Sequence, residues 1–168
     1  MNALLGGFAQ FFVPVHLLAV AALGLLAGQN TTRFPASLLA AFVFGIVVGS
    51  IMIAAALREQ NAVPVLLTIA SLAGVTVVAA SPVPLVIQVV VASATGGTLA
   101  LSSPPQEITI AAAIAAQLGT AFGAITSLML VIFISMHSKR SWQRIGVRIV
   151  GSWIAASAIL MLALRLAG

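Results

Sequence analysis

The chain of 168 residues is 62% hydrophobic and 5% charged, which excludes an ordinary soluble domain and points to a single membrane-embedded unit. Its net charge of +5 rests on seven Lys and Arg against two acidic residues, whose places at loop edges leave little for acid–base catalysis. There is no cysteine, so disulfides and thiolate metal ligands are excluded, and imidazole, carboxylate, amide and hydroxyl groups remain as polar chemistry.

The first apolar segment runs over residues 4–27 with no Lys or Arg before it, and so lacks the basic start of a secretory signal and reads as a retained span. Gly6, Gly7 and Pro14 could make its opening a broken or re-entrant piece. A proline inside a helix removes a backbone donor and crowds the carbonyl four residues back, here that of Gln10. Two residues beyond Pro14 stands His16, the one ionisable side chain set deep in an apolar run. Such a group must find a polar partner, line a wet cavity or bind a cation. Ala21, Gly24 and Gly28 form a small-residue ridge beside it, so His16 is expected to face a helix seam rather than lipid. The alternative is a packed, hydrogen-bonded histidine with no further role.

A polar turn over residues 29–33 leads to the second span, residues 37–57, in which Gly45 and Gly49 permit close approach of another helix. The third span covers residues 63–80. Ser81-Pro82-Val83-Pro84 turns the chain into the fourth, residues 83–101, where Ser81, Gln88, Thr95 and Ser102 recur every seven residues. A straight helix drifts only about 20° per such step, so these groups form one polar stripe. Gln88 is its strongest member, either lining a cation or proton route or making an interhelical hydrogen bond that fixes packing.

Ser102-Ser103-Pro104-Pro105 breaks the chain before the fifth span, residues 108–136, which as one straight helix would be about 43 Å long and must tilt, bend or protrude. It carries a second stripe of Thr109, Gln117, Thr120 and Ser127, and the two striped helices are expected to touch. Glu107 precedes this helix, either complementing its dipole or forming an acidic entrance for cations. A basic connection leads to the sixth span, residues 149–166. The architecture expected is an all-α, polytopic bundle of six transmembrane helices in one domain over residues 1–168.

With six spans, Arg33, Lys139, Arg140, Arg144 and Arg148 share one side, against Arg58 and Arg165 on the other. The positive-inside rule then places both termini outside the cytoplasm, with Glu107 on the outer side. Lys139, Arg140, Arg144 and Arg148 read as a cytoplasmic anchor at the headgroups, with recognition of a specific lipid or partner as the alternative. The charge belongs to a membrane boundary and gives no support for nucleic-acid binding. His137 reads as a solvated residue at a helix end.

Several stretches resemble the HupE/UreJ family of hydrogenase- and urease-associated membrane proteins. His16-Leu17-Leu18-Ala19 with Leu23-Gly24-Leu25 resembles its first-helix signature. Phe44-Gly45 with Gly49, and Ser71 with Gly74, resemble its second and third helices, and Arg148 to Ala156 its last. The resemblance implies a nickel or cobalt permease in a bacterial cytoplasmic membrane, with His16 at the family's metal-binding histidine. The chain departs from the pattern where Ala9-Gln10 replaces a His-Pro pair, Val15 replaces Asp and Val13 replaces Gly. Of a second His-rich signature only Glu107 matches, with Pro104-Pro105 where His-Gly would stand.

Two readings follow. One is a secondary transporter of a divalent metal, nickel or cobalt, with His16 as ligand or proton group, Gln88, Thr95, Gln117 and Thr120 along the polar stripes and Glu107 at the mouth. The other is a non-transporting accessory subunit whose Gly and Ala faces pack against copies of itself or a larger membrane complex. No activated nucleophile, phosphate loop or His cluster points to an enzyme or a resident cofactor, and any transport needs a gradient or another subunit.

Overall fold

A computed structural model describes residues 2–11, 13–30, 35–54, 62–80, 82–103, 109–138 and 140–167. These form seven helices with no strand among the described residues: α1 (Asn2–Phe11), α2 (Pro14–Asn30), α3 (Ala36–Ala54), α4 (Ala62–Ala79), α5 (Leu85–Ser102), α6 (Ile110–His137) and α7 (Ser141–Ala167). Helices α3 to α7 are each long and apolar enough to cross a membrane, and α1 with α2 passes the same test as a bent pair, the geometry of a broken span or a re-entrant loop. The chain is an all-helical membrane protein. Large apolar side chains point outward all round it: Phe44 is 64% exposed, Val86 73% and Trp153 73%. In water that surface would drive aggregation, whereas against lipid tails it has no such cost.

The first span is interrupted rather than kinked. Pro14 is the opening residue of α2, where a missing N–H is harmless because the first backbone donors of a helix have no partner in their own helix. The N–H groups of His16 and Leu17 instead reach the Val13 carbonyl at 3.0 and 3.3 Å, and the two helix axes differ by 67°. Of the two readings of Pro14, inside a helix or at a break in the opening segment, the structure has the break. At the other end of the chain, α7 begins at Ser141 instead of residue 149, taking the basic connection into its first turns. The long fifth run stays one helix of 28 residues, α6, about 42 Å in length.

Helix α2 occupies the centre, packed against α4, α5, α6 and α7. Every residue from Ala22 to Gly28 is buried, which requires neighbours on all sides. Glycines set the distances. A Cβ at Gly24 would lie 2.7 Å from Val131 Cγ1, and one at Gly28 2.7 Å from Ser135 Oγ, so α2 meets α6 through its glycine ridge. The closest pairing is α3 on α5. A Cβ at Gly45 would fall on the Ser93 carbonyl, and one at Gly49 would come 2.6 Å from the Gly97 oxygen and 2.9 Å from Ala100 Cβ. Residue numbers rise together along this seam, so α3 and α5 run parallel. Around the rim, α1 lies on α6 and α4 on α7.

Candidate functional site

His16 is the third residue of α2 and is 4% exposed, turned into the bundle beside the C-terminal end of α5. Its Nε2 lies 3.1 Å from Ser102 Oγ and 3.2 Å from Ser103 Oγ. Ser102 can meet it because it is the last residue of α5, and Ser103 because its backbone leaves helical geometry at the C-cap (φ −122°, ψ 55°). The Ser102 hydroxyl also donates to the Leu99 carbonyl at 2.9 Å, which commits its one proton. Ser102 Oγ is then an acceptor towards the ring, and the assignment that satisfies it puts a proton on Nε2. Among the buried described residues His16 is the one ionisable side chain.

The polar stripe of α5 is real as a face. Gln88 is 3% exposed, Thr95 0% and Ser103, next to Ser102, 1%. Its members nonetheless serve different partners. Thr95 Oγ1 donates to the Val91 carbonyl of its own helix at 2.7 Å, so it is satisfied locally. Gln88 lies fourteen residues before Ser102, about 21 Å away along α5, and so belongs to the opposite end of the bundle from His16. The structure does not bring His16 and Gln88 together. Ser81 lies outside the described residues.

Around Gln88 the hydrogen bonds form a directed series. Asn30 Nδ2, in the last turn of α2, donates to Leu26 O at 2.8 Å, and Asn30 Oδ1 accepts from the Val83 N–H at 3.0 Å. Val83 O in turn accepts from Gln88 Nε2 at 2.7 Å. Two carbonyl oxygens would repel there, so the amide must turn its NH2 to Val83, leaving Oε1 on the far side. That oxygen is buried and has no partner. An orphaned buried acceptor costs about 1–3 kcal/mol.

The second stripe turns elsewhere. Gln117 Nε2 donates to Ser50 Oγ of α3 at 3.2 Å, and Thr120 Oγ1 donates to Gly7 O of α1 at 2.9 Å. Gln117 Oε1 is also without a partner, although the residue as a whole is only half-buried. The stripes of α5 and α6 therefore do not form a shared seam. Instead α6 packs chiefly against α1, α2 and α3, so the striped face of α5, expected to meet it, is not among its main partners. Glu107 and Lys139 lie outside the described residues. Arg140, Arg144 and Arg148 are exposed on α7 and just before it, as expected of a boundary face. The Arg140 N–H is capped by Gln143 Oε1 at 3.1 Å, while Arg148 Nε donates to Val78 O at 2.8 Å and so ties α7 to the last turn of α4.

Sequence reasoning missed Ser103 and Asn30. Ser103 stood in a segment read only as a helix breaker, and Asn30 in a turn given no weight. The seven-residue recurrence did reach Ser102, but no local signal says that its partner is an imidazole 86 positions away. Among the described residues no group of three or more His, Cys, Asp or Glu side chains could hold a metal ion. Comparison of the chain with protein-family models, with characterised proteins and with solved structures finds no match.

Proposed function

We propose that the chain is a secondary transporter that passes a small divalent cation, nickel or cobalt, across a bacterial cytoplasmic membrane. The observation that carries this reading is the His16 group: a buried imidazole beside a break in the first span, with two serine hydroxyls within hydrogen-bond distance of one ring nitrogen. With the ring proton moved to Nδ1, such a group offers one nitrogen and two oxygens to a cation. A neutral set of that size holds a divalent ion weakly. Weak holding suits a conduction route, where an ion must leave as readily as it enters. The resemblance around His16 and in the last helix supplies nickel and cobalt as the ions to try first. Loop charge supports an orientation with both termini outside the cytoplasm, which puts His16 in the outer half of the bundle and Gln88 in the inner half.

Nickel and cobalt uptake by cells expressing the wild-type chain or His16→Ala tests the reading. Wild-type uptake should exceed that of His16→Ala by at least about tenfold, as loss of the single nitrogen ligand from a site this small implies. Equal, background-level uptake for both would remove it.

The scarcity of ligands favours a second reading, an accessory subunit without transport of its own. Its original support was the set of small-residue faces, and these are largely closed within the chain: a Cβ at Gly45, Gly49, Gly74, Gly96, Gly119 or Gly151 would meet a neighbouring helix of the same bundle. Purification in mild detergent separates the two, since a subunit should retain a stoichiometric companion.

A further inference from the structure

We infer that Gln88 Oε1 is a second cation-binding station, in the half of the bundle opposite His16, and that Asn30 is the residue that positions it. This rests on the cation-transport reading. The side chain is 3% exposed, its NH2 is held by Val83 O at 2.7 Å, and its carbonyl oxygen faces the interior without a donor. A packing glutamine would use both ends of its amide. Here one end anchors the group and the other is left as an acceptor, which is the chemistry that replaces part of an ion's hydration shell.

Donation from Nε2 to Val83 O draws electron density towards Oε1 and strengthens that acceptor. Asn30, itself held by Leu26 O, accepts from the Val83 N–H and so fixes the segment that carries Val83 O. Gln88 lies in the first turn of α5, whose N–H groups are partly positive, but the closing turn of α2 brings its partly negative end to the same place through Asn30. Neutral amide ligands bind a cation without trapping it, as a station passed in transit requires. Thr95, between the two stations, has its proton committed to Val91 O and so also turns an acceptor lone pair inward.

The test uses the full chain in phosphatidylcholine nanodiscs, grown with glutamine carrying 13C at the side-chain carbonyl, and Co2+ as probe. The Gln88 band is assigned by its loss in Gln88→Leu. Co2+ should shift that band to lower frequency, and in vesicles Gln88→Leu should lower Co2+ uptake by at least about tenfold. Asn30→Ala should raise the half-saturating Co2+ concentration about three- to tenfold with the maximal rate kept, a split that loss of folded protein would not give. A band that ignores Co2+ and responds only to exchange of H2O for D2O would mean a trapped water and overturn the station, whether or not the wild type transports. A Co2+-shifted band in a chain that takes up no Co2+ would keep the station and remove the transport reading.

Discussion

At its C-terminal end α5 lays Ser102 and Ser103 against the His16 imidazole, and every polar atom described there has company. Fourteen residues earlier the same face of the same helix holds Gln88, anchored at one end and orphaned at the other. Both groups are buried from lipid and water alike, so burial does not separate them. What separates them is saturation. A hydroxyl in a helix can always turn its proton to its own backbone and remain an acceptor, as Ser102 and Thr95 do. An amide has two ends and cannot satisfy both on one helix, so Gln88 exposes a need that the bundle leaves open.

The contrast can be broken outright by moving the helix that carries both groups. Gly96→Leu would drive a side chain into the Phe42 carbonyl of α3, and it should abolish uptake and reduce the monodisperse fraction on size exclusion to a minor one. The next largest effect belongs to the saturated end. Replacing Ser102 and Ser103 together by Ala leaves Nε2 buried without either hydroxyl, at an expected cost of about 2–3 kcal/mol in reversible unfolding in detergent. At the open end the stability effect is smaller. Gln88→Leu removes an orphaned acceptor along with one hydrogen bond, so stability should stay within about 1 kcal/mol of the wild type while uptake falls. A loss of stability as large as that of the serine pair would show that Gln88 is a packing residue.

The smallest effect is remote from both groups. Ala80, the residue after α4, has φ at 49°, the left-handed region that favours glycine. Ala80→Gly should raise the unfolding free energy by up to about 1 kcal/mol without changing uptake, and so calibrates how much of any other change is stability alone.

Much of this was legible in the chain. Long uncharged runs set the spans because a bilayer admits little else, and the small residues of α2 pointed to a buried His16, although the glycines face α6 and His16 meets α5. The interruption at Pro14 was legible as a possibility, since proline is equally at home at a kink and at a helix start. Partner choice was not legible. A stripe of polar residues tells which face of a helix avoids lipid, but Gln117 and Thr120 could reach α3 and α1 only because those helices lie closer to α6 than α5 does. Asn30 was hidden for a related reason: its acceptor bonds a peptide in the turn before α5, and that pairing exists only after α4 has doubled back.

The glycine-to-backbone seam between α3 and α5 also constrains how the protein is made. Its two sides are separated by the whole of α4, and among the described residues α3 has no other partner that approaches it so closely. During synthesis α3 must wait among lipids until α5 has emerged from the insertion machinery. A ribosome stalled between the two would leave a stranded helix with a bare groove, the form most exposed to quality-control proteases.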